Sequence, residues 1–222
     1  MNIVENIQKL RTQIPDNVAL IAVSKFKSEA EILQVYQTGQ RLFGENKAQE
    51  MANKAQNLPK DIQWHFIGHL QTNKIKYIIP FVTKIQSIDS QYLLKEVNRL
   101  AAKNERIVDC LLQFHIAEEE TKFGFSLEEA EKMLKSTDYQ TFNNIRICGV
   151  MGMATFTDNV SQIRAEFKNL NQYFHYLKEN YFSQQPHFVD ISMGMSDDYH
   201  IAIEEGATLV RIGSVIFGAR NS

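Results

Sequence analysis

The 222-residue chain is 44% hydrophobic and 23% charged, the profile of an ordinary globular protein long enough for one sizeable core. Its formal net charge is only −2 and its acids and bases are scattered, so no basic block marks a nucleic-acid footprint. No apolar run approaches the roughly 18–20 residues that a membrane span needs.

The first residues have neither the basic start nor the continuous apolar core of a secretory leader. Ile3, Ile7, Leu10 and Ile14 recur at helical spacing, which predicts an amphipathic helix over about residues 2–14. Residues 18–24 read as a first strand that runs into Lys25, Phe26 and Lys27. Ser28, with Glu31 three positions on, has the form of a capping box opening a helix through Ile32, Leu33 and Tyr36. Further strands are expected over 41–44, 62–68, 81–88 and 107–116. Between the last two, residues 90–104 place Leu93, Leu94, Val97 and Leu100 on one helical face. Ser126 and Glu129 repeat the capping box before Ala130, Met133 and Leu134. Strands over 145–151, 187–192 and 208–212 complete the series, and a helix over 158–181 turns Phe167, Leu170, Phe174 and Leu177 inward. Ser196 and the two acids after it have the form of a helix N-cap. Cys110 and Cys148 sit in strand-like runs without a CxxC, and the six histidines lack ligand spacing. Buried thiols are expected, and no structural zinc. No linker interrupts the chain, so residues 1–222 read as a single domain.

Strands alternating with helices eight times predict an α/β protein, a single (β/α)8 TIM barrel. The other candidate, an open doubly wound sheet, usually carries a glycine-rich first turn, and residues 23–28 contain no glycine. In the barrel, chemistry gathers at the C-terminal strand ends. Lys25 shares the phase of Ile21 and Val23, a position that suits a nucleophilic amine at the barrel mouth. Taken alone, a strand-end lysine is more often a solvated charge, and Lys27, beyond the strand, reads as one. Loops after strands seven and eight are the usual phosphate site of this fold, and Ser192, Gly213 and Ser214 offer hydroxyls and approachable backbone there. Arg211 can reach a ring nitrogen and, by keeping its own proton, would leave that nitrogen unprotonated. An ion pair with Glu204 or Glu205 is its other use. A lysine and a phosphate cradle are the minimum for pyridoxal phosphate.

Residues 22–25 (AVSK), 43–46 (FGEN), 64–71 (WHFIGHLQ), 87–89 (SID), 121–124 (TKFG), 149–153 (GVMGM), 192–198 (SMGMSDD) and 210–220 (VRIGSVIFGAR) together resemble the pyridoxal phosphate homeostasis protein family. They run in order across nearly the whole chain. The resemblance implies a barrel similar to the N-terminal domain of alanine racemase, with pyridoxal 5'-phosphate held as a Schiff base on Lys25. By motif, Ser192, Gly213 and Ser214 look like phosphate contacts, Arg211 like the ring-nitrogen partner, and Asn46 like a neighbour of the cofactor. Lys122 marks a further contact or a second cofactor site at the mouth. His65 and His69 share a strand face, with core, rim and catalytic roles all open.

The chain stops soon after the strand-eight loop, without the extra domain from which related racemases draw a second base, so one cofactor face is expected to meet water. The expectation is a protein that holds, buffers or hands over pyridoxal phosphate without robust catalysis. It is expected in the cytoplasm as a monomer, with the cofactor and the apoenzymes that use it as partners, and neither nucleic acid nor membrane. The alternatives are an amino-acid racemase with a relaxed site and a cofactor-free aldolase that uses Lys25 on a sugar phosphate.

Overall fold

A computed structural model describes residues 2–118 and 123–218. Eight parallel strands close into a barrel in chain order: β1 (Ala19–Val23), β2 (Leu42–Glu45), β3 (Gln63–Phe66), β4 (Lys84–Ile88), β5 (Val108–Gln113), β6 (Ile145–Met151), β7 (Asp190–Ser192) and β8 (Leu209–Ile212). Closure comes from β1, which pairs with β2 through Ala22 and Phe43 and with β8 through Ile21 and Arg211. The helices α1 (Ile3–Arg11), α2 (Glu29–Gln37), α3 (Ala48–Asn57), α4 (Ile75–Ile78), α5 (Gln91–Lys103), α6 (Leu127–Leu134), α7 (Thr137–Gln140), α8 (Val160–Asn180), α9 (Tyr199–Glu204) and α10 (Ser214–Phe217) precede, link and follow the strands. Each of the eight expected strands is present.

Strand alternation divides the apolar residues in two. Leu20, Ala22, Phe43, Trp64 and Phe66 join the main core beneath the helices. Ile21, Leu111, Cys148, Met151 and Leu209 form a smaller cluster enclosed by the strands. A register shift between Cys110 and Leu111 sends Cys110 to the outer cluster and Cys148 to the inner one. Both are free thiols, and burial pushes Cys148 up to about 12. The shift places Gly149 at φ 154°, where an added Cβ would lie 1.9 Å from the Asp190 carbonyl oxygen. At the N-terminal ends of β4 and β7, which are not neighbours, Lys84 and Asp190 form an ion pair across the barrel interior.

Both capping boxes form as the serine-to-glutamate spacing requires, Ser28 with Glu31 on α2 and Ser126 with Glu129 on α6. The face of α8 that carries Phe167, Leu170, Phe174 and Leu177 is buried. Two expectations are corrected. The N-terminal helix ends at Arg11, because the Thr12 hydroxyl donates to the Lys9 carbonyl (2.8 Å) and Pro15 disfavours helical backbone at Ile14. Ser196 does not cap α9; the Asp198 carboxylate accepts from the Met195 N–H at 2.5 Å, so a turn occupies 195–198 and the helix starts at Tyr199. Among the described residues no helix is long and apolar enough to cross a membrane, and no group of three His, Cys, Asp or Glu side chains could hold a metal ion.

Candidate functional site

A cavity of about 350 Å³ opens at the C-terminal mouth of the barrel, lined by Lys25, Asn46, Arg211, Gly213 and Ser214. Five of the six candidate residues thus converge from β1, β2 and β8, separated by up to 189 positions in sequence but adjacent around the closed sheet. Gly213 packs where β8 meets β1; a Cβ there would come within 3.2 Å of the Val23 carbonyl oxygen. Asn46 Oδ1 is buried without a hydrogen-bond partner among the described residues. A buried acceptor left open at a cavity wall is a place for a ligand donor.

Ser192 is not among the lining residues. It is fully buried beneath them, with its hydroxyl accepting from Arg211 Nη1 at 2.7 Å and donating to Gln86 Oε1 at 2.6 Å. As the last residue of β7 it points into the barrel, so the expected phosphate contact is corrected to an anchor for the arginine. Within the 192–198 segment the hydroxyl that lines the cavity is that of Ser196, whose Oγ lies 3.4 Å from Gly213 N and accepts from its N–H. The 192–198 segment pointed to this loop, but which serine faces the mouth depends on where β7 stops.

Arg211 is buried and stays charged at neutral pH, although burial lowers it to about 10. It pairs with neither Glu204 nor Glu205, both of which bind Arg164. Its second donor goes to the Gly152 carbonyl at 3.0 Å. The chain continues from Ser192 through Gln86 to His65 Nδ1, 2.9 Å from the Gln86 amide nitrogen. With Gln86 donating its N–H, His65 is the acceptor. Burial, with nearby Lys84 adding to it, pulls His65 down to about 3, so it is neutral. His65 therefore takes a core role. His69 sits at the rim, paired with Asp89 at 3.2 Å and with its ring 4.5 Å from that of Phe123.

Lys27, expected on the open surface, also lines the cavity and donates to the Phe217 carbonyl at 3.2 Å. The turn between β1 and α2 bends it back, through a positive φ of 64° at Phe26. Lys122 lies outside the described residues. Larger hollows of about 500 and 460 Å³ lie toward the N-terminal strand ends, away from the chemistry of this fold. Their arginines are already engaged, Arg11 with the Thr38 carbonyl and Gln40, Arg41 with Asp61, and Arg146 with Asp109.

The family model for the alanine racemase N-terminal domain matches residues 1–221. The pyridoxal phosphate homeostasis protein of Aquifex aeolicus is 37% identical, across 98% of this chain and 95% of its own length. That of Haemophilus influenzae is 35% identical, across 100% and 97%. The structure of PipY from Synechococcus elongatus PCC7942, with PLP bound, superposes with a TM-score of 0.86 at 32% identity, covering 97% of this chain and all of that one. Alanine racemase of Clostridium difficile 630 shares the fold at a TM-score of 0.74 and 13% identity, with this chain matching 57% of its length. On sequence, on length and on a closed barrel with its polar residues gathered at one mouth, this chain belongs to the pyridoxal phosphate homeostasis protein family, within the alanine racemase N-terminal-domain fold.

Proposed function

We propose that this protein binds pyridoxal 5'-phosphate, holds it as a Schiff base on Lys25 and contributes to the supply of the cofactor inside the cell. The observation that carries the reading is the convergence of Lys25, Asn46, Ser196, Arg211, Gly213 and Ser214 on one cavity. Those groups suit the cofactor part by part. Lys25 supplies an amine for its aldehyde, Ser196, Gly213 and Ser214 supply hydroxyls and backbone N–H for its phosphate, and Arg211 supplies a charged donor for its ring nitrogen. A PLP-bound relative of the same length and fold supports it.

The cofactor, when bound, supplies an electron sink; the protein's groups restrain it. Arg211, oriented by Ser192 and Gly152, keeps its own proton at neutral pH, so it would leave the ring nitrogen unprotonated and the sink weak. Among the described residues, the titratable side chains lining the cavity are Lys25, Lys27, Asp197 and Arg211, with no histidine or tyrosine placed there as an opposing base. The reading is therefore a carrier without robust catalysis, acting in the cytoplasm as a monomer and serving the apoenzymes that use the cofactor.

The visible spectrum, recorded with and without borohydride beside Lys25→Ala, tests it. A yellow band that borohydride bleaches and the variant lacks is expected. A wild type that stays colourless with added pyridoxal phosphate overturns the reading. Steady turnover of a chiral amino acid that Lys25→Ala abolishes would overturn the carrier part and leave a racemase.

A further inference from the structure

Three residues outside the cavity lining hold the turn that carries Lys25 from both flanks. On one flank, Lys54 Nζ donates to the Ser24 carbonyl at 2.8 Å, and the Ser24 hydroxyl donates to Glu45 Oε1 at 2.6 Å. On the other, the Phe26 N–H donates to Glu50 Oε1 at 2.6 Å. Lys54 ties the flanks together, reaching Glu45 Oε1 at 2.8 Å and Glu50 Oε1 at 2.7 Å. An ammonium has three protons, and Lys54 commits each one to this turn or to the carboxylates that grip it.

Two further observations make this more than local packing. The side chains of Lys54 and Glu45 are 7% and 0% exposed, and Glu45 Oε2 is buried without a hydrogen-bond partner among the described residues. A buried ion pair with an unsatisfied oxygen is poor value as a source of stability alone. Phe26 holds a left-handed φ of 64° that a non-glycine residue adopts only when its surroundings force it. The Lys27 N–H donates to the Ser24 carbonyl at 3.0 Å and closes the turn in which that φ is needed, Lys47 Nζ lies 4.7 Å from the Phe26 ring, and the Glu50 carboxylate on the Phe26 N–H adds a restraint from α3.

We propose that Glu45, Lys54 and Glu50 are positioning residues that set the direction from which Lys25 Nζ meets an aldehyde. The proposal rests on the reading of Lys25 as the cofactor-bearing amine. In that step the amine adds to the aldehyde carbon and a carbon–nitrogen double bond forms. The aldehyde oxygen leaves with the two amine protons as one water, and nothing is oxidised or reduced. The clamp acts on the attack and not on the recognition of ring or phosphate.

That division sets the test. Cofactor-free wild type, Glu50→Ala and Glu50→Gln are each mixed with pyridoxal phosphate, and the rate of the yellow band is followed. Their affinity for pyridoxine 5'-phosphate, which carries an alcohol in place of the aldehyde, is measured by calorimetry. Glu50→Ala is expected to slow the band by about tenfold or more. Its affinity for the alcohol should stay within about twofold of wild type. Glu50→Gln should recover the rate, because its amide oxygen still accepts from Phe26 N–H. Should Glu50→Ala fail to fold, Glu50→Asp replaces it, with the same slowing expected from a carboxylate withdrawn by one methylene. An unchanged rate overturns the proposal, and so does a parallel loss of both ligands. A wild type that takes up the alcohol but gains no colour overturns the Schiff base itself, and one that takes neither ligand overturns the cofactor reading.

Discussion

The sharpest residue-scale consequence concerns His65. Its ordinary value near 6.5 falls to about 3 in the fold, so the folded state disfavours the protonated ring. A group lowered in this way contributes stability that is complete above about 6.5 and is lost as the pH falls towards 3. The slope for one proton is about 1.4 kcal/mol per pH unit. Urea unfolding between pH 5 and 7 should show that decline in wild type and a flatter profile in His65→Gln, whose side chain can still accept from Gln86. Equal slopes would mean that His65 is protonated in the fold. Neither the neutral state of His65 nor the anchoring role of Ser192 was legible in the sequence, because both depend on which strand residues face inward at one depth of the barrel. That Arg211 lines the cavity was legible from its place two residues before Gly213, but its two anchors come from β7 and the segment after β6.

At the scale of elements, local chemistry carried far. The Ser28 and Ser126 capping boxes were readable because the motif is contained within four residues. Ser28→Ala should cost about 1 kcal/mol, measurable as a lower urea midpoint with an unchanged slope. The ends of elements were less readable. Ile14 continues the apolar stripe of α1 and is buried, yet it lies beyond the helix, so the stripe overstated its length. The β5–β6 register shift left no sequence signature beyond a glycine in an apolar run. Gly149→Ala is expected to destabilise by more than about 4 kcal/mol, since its methyl would overlap the Asp190 carbonyl, where β7 must pair. A variant that melts like wild type would show that β7 can move aside.

For the whole molecule, the closed sheet was legible from the count of alternations, while the cavity was legible only in outline: its walls come from strands at opposite ends of the chain. Binding there should couple to global stability. Pyridoxal phosphate at about one hundred times its dissociation constant adds about 2.7 kcal/mol, a rise of roughly 5–11 °C in melting temperature for a chain of this size. Lys25→Ala should lose most of that rise; a full rise in the variant would place the main attachment elsewhere. The floor of the barrel adds a different kind of constraint. The Lys84–Asp190 pair and the inner cluster of Ile21, Leu111, Cys148 and Leu209 fill the interior below the mouth. Among the described residues the interior is filled below the cavity, so a ligand approaches Lys25 from the mouth. Under the proposed carrier reading, a recipient would reach the cofactor through the same mouth that a donor loads, so exchange would proceed one occupant at a time.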